Sequence, residues 1–71
     1  MQASERATAK LKEAIRSLEE FPRIGRPLAR SGMRERFVAF GKGAYIIRYY
    51  HSLRRDSIVI LRIWHSREAR R

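Results

Sequence analysis

Cysteine is absent from these 71 residues, which removes both a disulfide framework and any thiolate metal site. Histidine occurs only twice, as His51 and His65, too few to close a zinc site with the carboxylates on offer. No apolar run approaches the ~20 residues of a membrane span, and the first residues lack the apolar segment of a signal peptide. The sequence therefore predicts a soluble, cytoplasmic protein with no metal and no cofactor. Acidic residues are also scarce, 7 against 17 Lys+Arg, for a net charge of +10. Disorder is not implied, because 44% of the residues are hydrophobic and seven are aromatic. A chain of this length is read as a single domain (1–71) with one modest core.

The charge is unevenly placed. Residues 1–20 carry four bases (Arg6, Lys10, Lys12, Arg16) and four acids (Glu5, Glu13, Glu19, Glu20), which balance. Removing these from the totals leaves thirteen bases and three acids for residues 21–71. Fourteen of the 17 cations are arginine, whose planar fork suits phosphate and carboxylate and which stacks on rings. Such a surface calls for an anionic partner, either nucleic acid or an acidic protein segment. A proteome that simply favours arginine would leave the same mark.

Ala7, Leu11, Ala14, Ile15, Leu18 and Phe21 recur at three- and four-residue spacing, the stripe of an amphipathic helix over about residues 4–20. Ser4 is its expected N-cap, and Pro22 ends it by forcing Phe21 out of the α region. Residues 21–33 hold two prolines and two glycines and read as an irregular connector. Three runs rich in β-branched and aromatic residues follow, at about 34–40, 44–51 and 57–65, separated by Gly41-Lys42-Gly43 and a polar turn. The expected fold is α+β, one amphipathic helix packed on a three-stranded antiparallel meander.

In the last run, one parity holds Val59, Leu61 and Ile63, and the other holds Ile58, Ile60, Arg62 and Trp64. Both faces read as apolar, although one helix can cover only one face. The second face is therefore expected to meet a partner or to form an apolar floor edged by arginine. Candidate partner-binding residues are Arg48, Tyr50, Ile58, Ile60, Arg62 and Trp64. Arginine beside an aromatic ring suits phosphates and bases, and equally an acidic, apolar protein segment. The same arginines could instead lie flat over Trp64 and Tyr50, their stems covering apolar surface. For metal-free RNA cleavage the candidates are Arg34, Arg48, Arg62, His65 and Arg67 around a phosphate, with Glu35, His65 or His51 as acid or base. A lone histidine at a strand end more often has a structural role.

Phe21-Pro22-Arg23-Ile24-Gly25-Arg26-Pro27, Gly32-Met33-Arg34, Tyr45-Ile46-Ile47-Arg48-Tyr49 and Ile60-Leu61-Arg62-Ile63-Trp64-His65-Ser66-Arg67 occur in that order. Together they resemble the ParE-like toxins of the RelE/ParE superfamily, the plasmid-stabilising arm of bacterial toxin–antitoxin modules. The resemblance implies a toxin neutralised by a tightly bound antitoxin, with DNA gyrase as the target in the ParE branch and ribosome-bound mRNA in the RelE branch. The RelE arginine after the middle-strand tyrosine is Ile46 here, its later arginine matches Arg67, and no tyrosine follows Tyr50. That pattern favours the binding branch over the nuclease. A basic nucleic-acid-binding protein without toxicity is the third reading. The family's usual first strand and helix have no counterpart before the helix at residue 4, so an exposed sheet edge is expected to pair with a partner or a second copy.

Overall fold

The computed structural model describes residues 5–67. Helix α1 spans Glu5–Glu20 and buries Ala7, Ala14 and Leu18, with Leu11 and Ile15 partly buried beside them. Ser4 lies outside the described residues. Phe21, expected on the buried stripe, is 56% exposed. Its N–H still closes the last turn onto the Ser17 carbonyl at 2.8 Å, but Pro22 diverts the chain and carries the ring off that face.

The sheet has four antiparallel strands rather than three, in the order β1 (Arg26–Pro27), β2 (Met33–Phe40), β3 (Gly43–Ser52) and β4 (Ser57–His65). The additional strand β1 arises inside the connector, where Arg26 and Pro27 pair with Glu35 and Arg34. Two residues are too few to show a period, and Pro27 can sit there only because an edge strand needs no inner N–H. The β2–β3 hairpin closes through Gly41-Lys42, with Gly41 alone at positive φ (64°), the φ signature of a type II′ turn.

One face of the sheet packs under α1. Val38, Tyr45, Ile47 and Tyr49 join the helix residues in a single cluster, with Ile47 and Tyr49 fully buried. Ile58 and Ile60 border it.

β4 is not regular. Its pairing with β3 shifts between Arg48 and Tyr49, where Arg62 faces Arg48 but Ile60 faces Tyr49, so Leu61 is an extra residue in a bulge. The shift exchanges parity along β4. Ile58 and Ile60 lie on the helix face with Ile63 and His65, whereas Val59, Arg62 and Trp64 lie on the open face. The assignment of Ile58 and Ile60 to the same face as Arg62 and Trp64 is therefore corrected. An unbroken two-residue period cannot represent a strand that slips by one residue halfway.

Candidate partner-binding face

The register sets one residue from each strand side by side on the open face: Arg26, Glu35, Arg48 and Arg62. Glu35 is 6% exposed, and burying a carboxylate there is costly unless it is paired. The pairing is complete on both oxygens. Arg26 Nη2 donates to Oε1 at 3.2 Å, while Arg48 Nε and Nη2 donate to Oε2 at 2.9 and 2.6 Å. Both arginines remain reachable by water, at 66% and 37% side-chain exposure, which screens the pairs and lowers their worth.

Arg48 and Arg62 are like charges directly opposite, an arrangement that repels. Trp64 moderates it, because the guanidinium carbons of Arg48 and Arg62 lie 5.2 and 4.8 Å from its ring centroid. Arg26 caps the far end of the row in the same way, 5.6 Å over the half-exposed ring of Phe37. Between these rings, Ile46 faces Phe37 and Trp64 in register and is 5% exposed. The face is thus an apolar floor under a ladder of rings and arginines, with one carboxylate already engaged.

Of the sequence-derived partner residues, Arg48, Tyr50, Arg62 and Trp64 share this face, and Ile58 and Ile60 do not. Arg26 and Glu35 were missed as a pair. The register that opposes Glu35 to Arg48 follows once Gly41-Lys42 is taken as the whole turn; nothing periodic marks Arg26.

The residues considered for RNA cleavage are divided between the two faces. Arg34 lies on the helix face opposite Tyr49, and its Nη1 donates to the carbonyls of Arg23 (3.1 Å) and Gly25 (2.7 Å). His65 lies on the same face at the opposite end of the sheet, edge-on to Tyr45 at 4.9 Å. Its Nδ1 accepts from the Arg67 N–H at 3.2 Å, which leaves the proton on Nε2, 3.3 Å from the Phe40 carbonyl. Arg48 and Arg62 are across the sheet, and Glu35 is committed to its arginines. His51 Nε2 is 4.0 Å from Asp56 Oδ1 at the β3–β4 turn. Among the described residues no three His, Asp or Glu side chains gather as a metal site.

The connector accounts for several of the motif residues. The fully buried Tyr49 sends its hydroxyl to the Pro22 carbonyl at 2.7 Å and accepts the Gly25 N–H at 3.0 Å. A Cβ on Gly25 would come within 2.6 Å of that hydroxyl and 2.9 Å of the Glu35 carbonyl, so this position has no room for a side chain. A family model for the ParE toxin of the type II toxin–antitoxin system, parDE, matches residues 1–70. The chain belongs to the ParE toxin family. No curated protein and no solved structure matches it significantly.

In this ParE-family chain the motif residues act first as fasteners. Pro22, Gly25, Arg34 and Tyr49 lash the connector to the sheet. His65 and Ser66 do the same at the other end, where the Ala44 N–H donates to Ser66 Oγ at 3.1 Å and the Ser66 N–H to the Ala44 carbonyl at 2.7 Å. A Cβ on Gly43 would collide with Ser66 Oγ and lie 2.9 Å from the His65 ring. Arg26, Arg48, Arg62 and Trp64 have the opposite character and face outward.

Proposed function

We propose that this ParE-family toxin works as a single domain in the cytoplasm by binding rather than by catalysis. Its open sheet face receives an acidic, amphipathic antitoxin segment, and DNA gyrase is its target. The observation that carries the reading is the division of the acid–base candidates. Glu35 is saturated by arginine, His65 is committed to the Phe40–Arg67 corner, Arg48 and Arg62 lie across the sheet from that histidine, and Arg34 is fastened to connector carbonyls at the far end of its face. The open face offers an antitoxin what it needs instead: arginine forks for carboxylates, and Trp64 and Tyr50 for apolar side chains. No described strand pairs with the outer edge of β4, and that edge supports pairing with another chain, either the antitoxin or a second copy.

Two assays on the same preparation test this. In a gyrase supercoiling assay the chain is expected to block supercoiling, and in a translating extract it leaves mRNA intact. Cleavage of mRNA that disappears in His65→Ala or Arg67→Ala would replace this reading with a ribonuclease. Activity in neither assay would leave the basic, non-toxic nucleic-acid binder.

A further inference from the structure

A second feature lies at the end of the sheet away from His65. The β1–β2 turn folds back through the Leu28 N–H to the Met33 carbonyl (2.9 Å) and the Met33 N–H to the Arg30 carbonyl (3.1 Å). The His51 N–H bonds the Gly32 carbonyl at 2.9 Å and holds this turn beside the start of the β3–β4 turn. Between the two turns is a pocket of about 360 Å³. Gly32 sits at φ +83°, and a Cβ there would run into the ring of Tyr50, so glycine is what lets that ring form part of the wall.

The charges around this pocket are of one sign. Arg23, Arg30, Arg34 and Arg54 line it, no carboxylate does, and among the described residues none of the four makes an ion pair. Arg34 is already held through Nη1 by the Arg23 and Gly25 carbonyls, and the like charges of Arg23, Arg30 and Arg54 around the same concavity repel one another unless an anion joins them. All are arginine, the side chain whose fork matches phosphate oxygens in pairs. Leu28, Met33 and the 40% exposed Tyr50 add an apolar and aromatic side. The volume is at the lower end of small-ligand sites, and a pocket differs from the long groove an acidic helix or strand would require.

We infer that this pocket binds the phosphate of a nucleotide, with the base placed on Tyr50. Free nucleotide and the end or a bend of a single strand share that chemistry. The inference does not rest on the gyrase reading, because it concerns a different ligand, although the pocket shares Tyr50 with the open face.

The test is titration of the whole chain with inorganic phosphate, adenosine 5′-monophosphate, a fluorescein-labelled single-stranded decamer and a decameric glutamate peptide. The monophosphate is expected to bind about tenfold more tightly than inorganic phosphate, reflecting the ring contribution. Arg30→Gln and Arg54→Gln are each expected to weaken it about tenfold. Both side chains are exposed and make no described hydrogen bond, so folding is retained and checked by thermal unfolding. Arg6→Gln removes the same charge at the helix start and serves as the control. A decamer that binds while the monophosphate does not would identify a strand as the source, with the same loss in both variants. Equal losses in Arg6→Gln, equal affinity for phosphate and monophosphate, tighter binding of the glutamate peptide, or no saturable binding would each overturn the inference.

Discussion

The two faces of the sheet are built from the same three long strands and obey different physics. Under α1, the side chains are Val38, Tyr45, Ile47 and Tyr49, and removal of apolar surface from water supplies the stability. On the open face the corresponding positions are Glu35, Phe37, Arg48 and Trp64, held by ion pairs and ring stacking that water still reaches. The first face can tolerate little change, because close packing leaves no slack. The second can trade its contacts for those of a partner, since a guanidinium over Trp64 is available to a carboxylate as well. One face makes the fold and the other spends little on it.

That contrast can be broken most directly at Leu18. Leu18→Ala removes a fully buried side chain from the core cluster and is expected to cost about 3 kcal/mol, a large share of what a chain this small possesses. Urea unfolding measures it, and a cost below about 1 kcal/mol would mean the helix is not essential to the core. Glu35→Gln should be the intermediate case. It removes the charge that two arginines share, and after discounting for their exposure the expected loss is about 1–2 kcal/mol. Added salt should narrow that loss; a loss as large as at Leu18 would make the open face a second core. Arg62→Gln is expected to change stability by less than about 0.5 kcal/mol. Its effect should appear instead as weaker antitoxin binding, read by calorimetry; unchanged affinity would remove Arg62 from the interface.

Much of this is legible in the sequence because it depends on local periods. The three- and four-residue spacing from Ala7 to Leu18 marked the helix, and the β-branched and aromatic runs marked an antiparallel sheet. What was hidden depends on events that have no period. The bulge at Leu61 reverses the faces of half a strand, so an unbroken period puts Ile58 and Ile60 on the partner surface with Arg62 and Trp64, whereas they border the core. Strand β1 is two residues long and begins at an arginine whose partner, Glu35, is nine positions away. Glu35 reads from the sequence as an acid or base because it lies among the arginines. Its burial between two arginines is a tertiary fact, invisible until the hairpin register is known. The same holds for the Tyr49 hydroxyl, whose partners Pro22 and Gly25 lie 27 and 24 residues earlier.

The extra residue in β4 has another consequence. An outer strand of nine residues carrying Val59, Leu61 and Ile63 in the open would, if straight, be a template on which copies could stack without end. Leu61 divides it into Ser57–Ile60 and Arg62–His65, each shorter than the six or seven residues such stacking generally needs. Arg62 adds a charge to the second piece. The slip that sorts arginine from isoleucine thus also keeps a sticky edge from growing into a fibre.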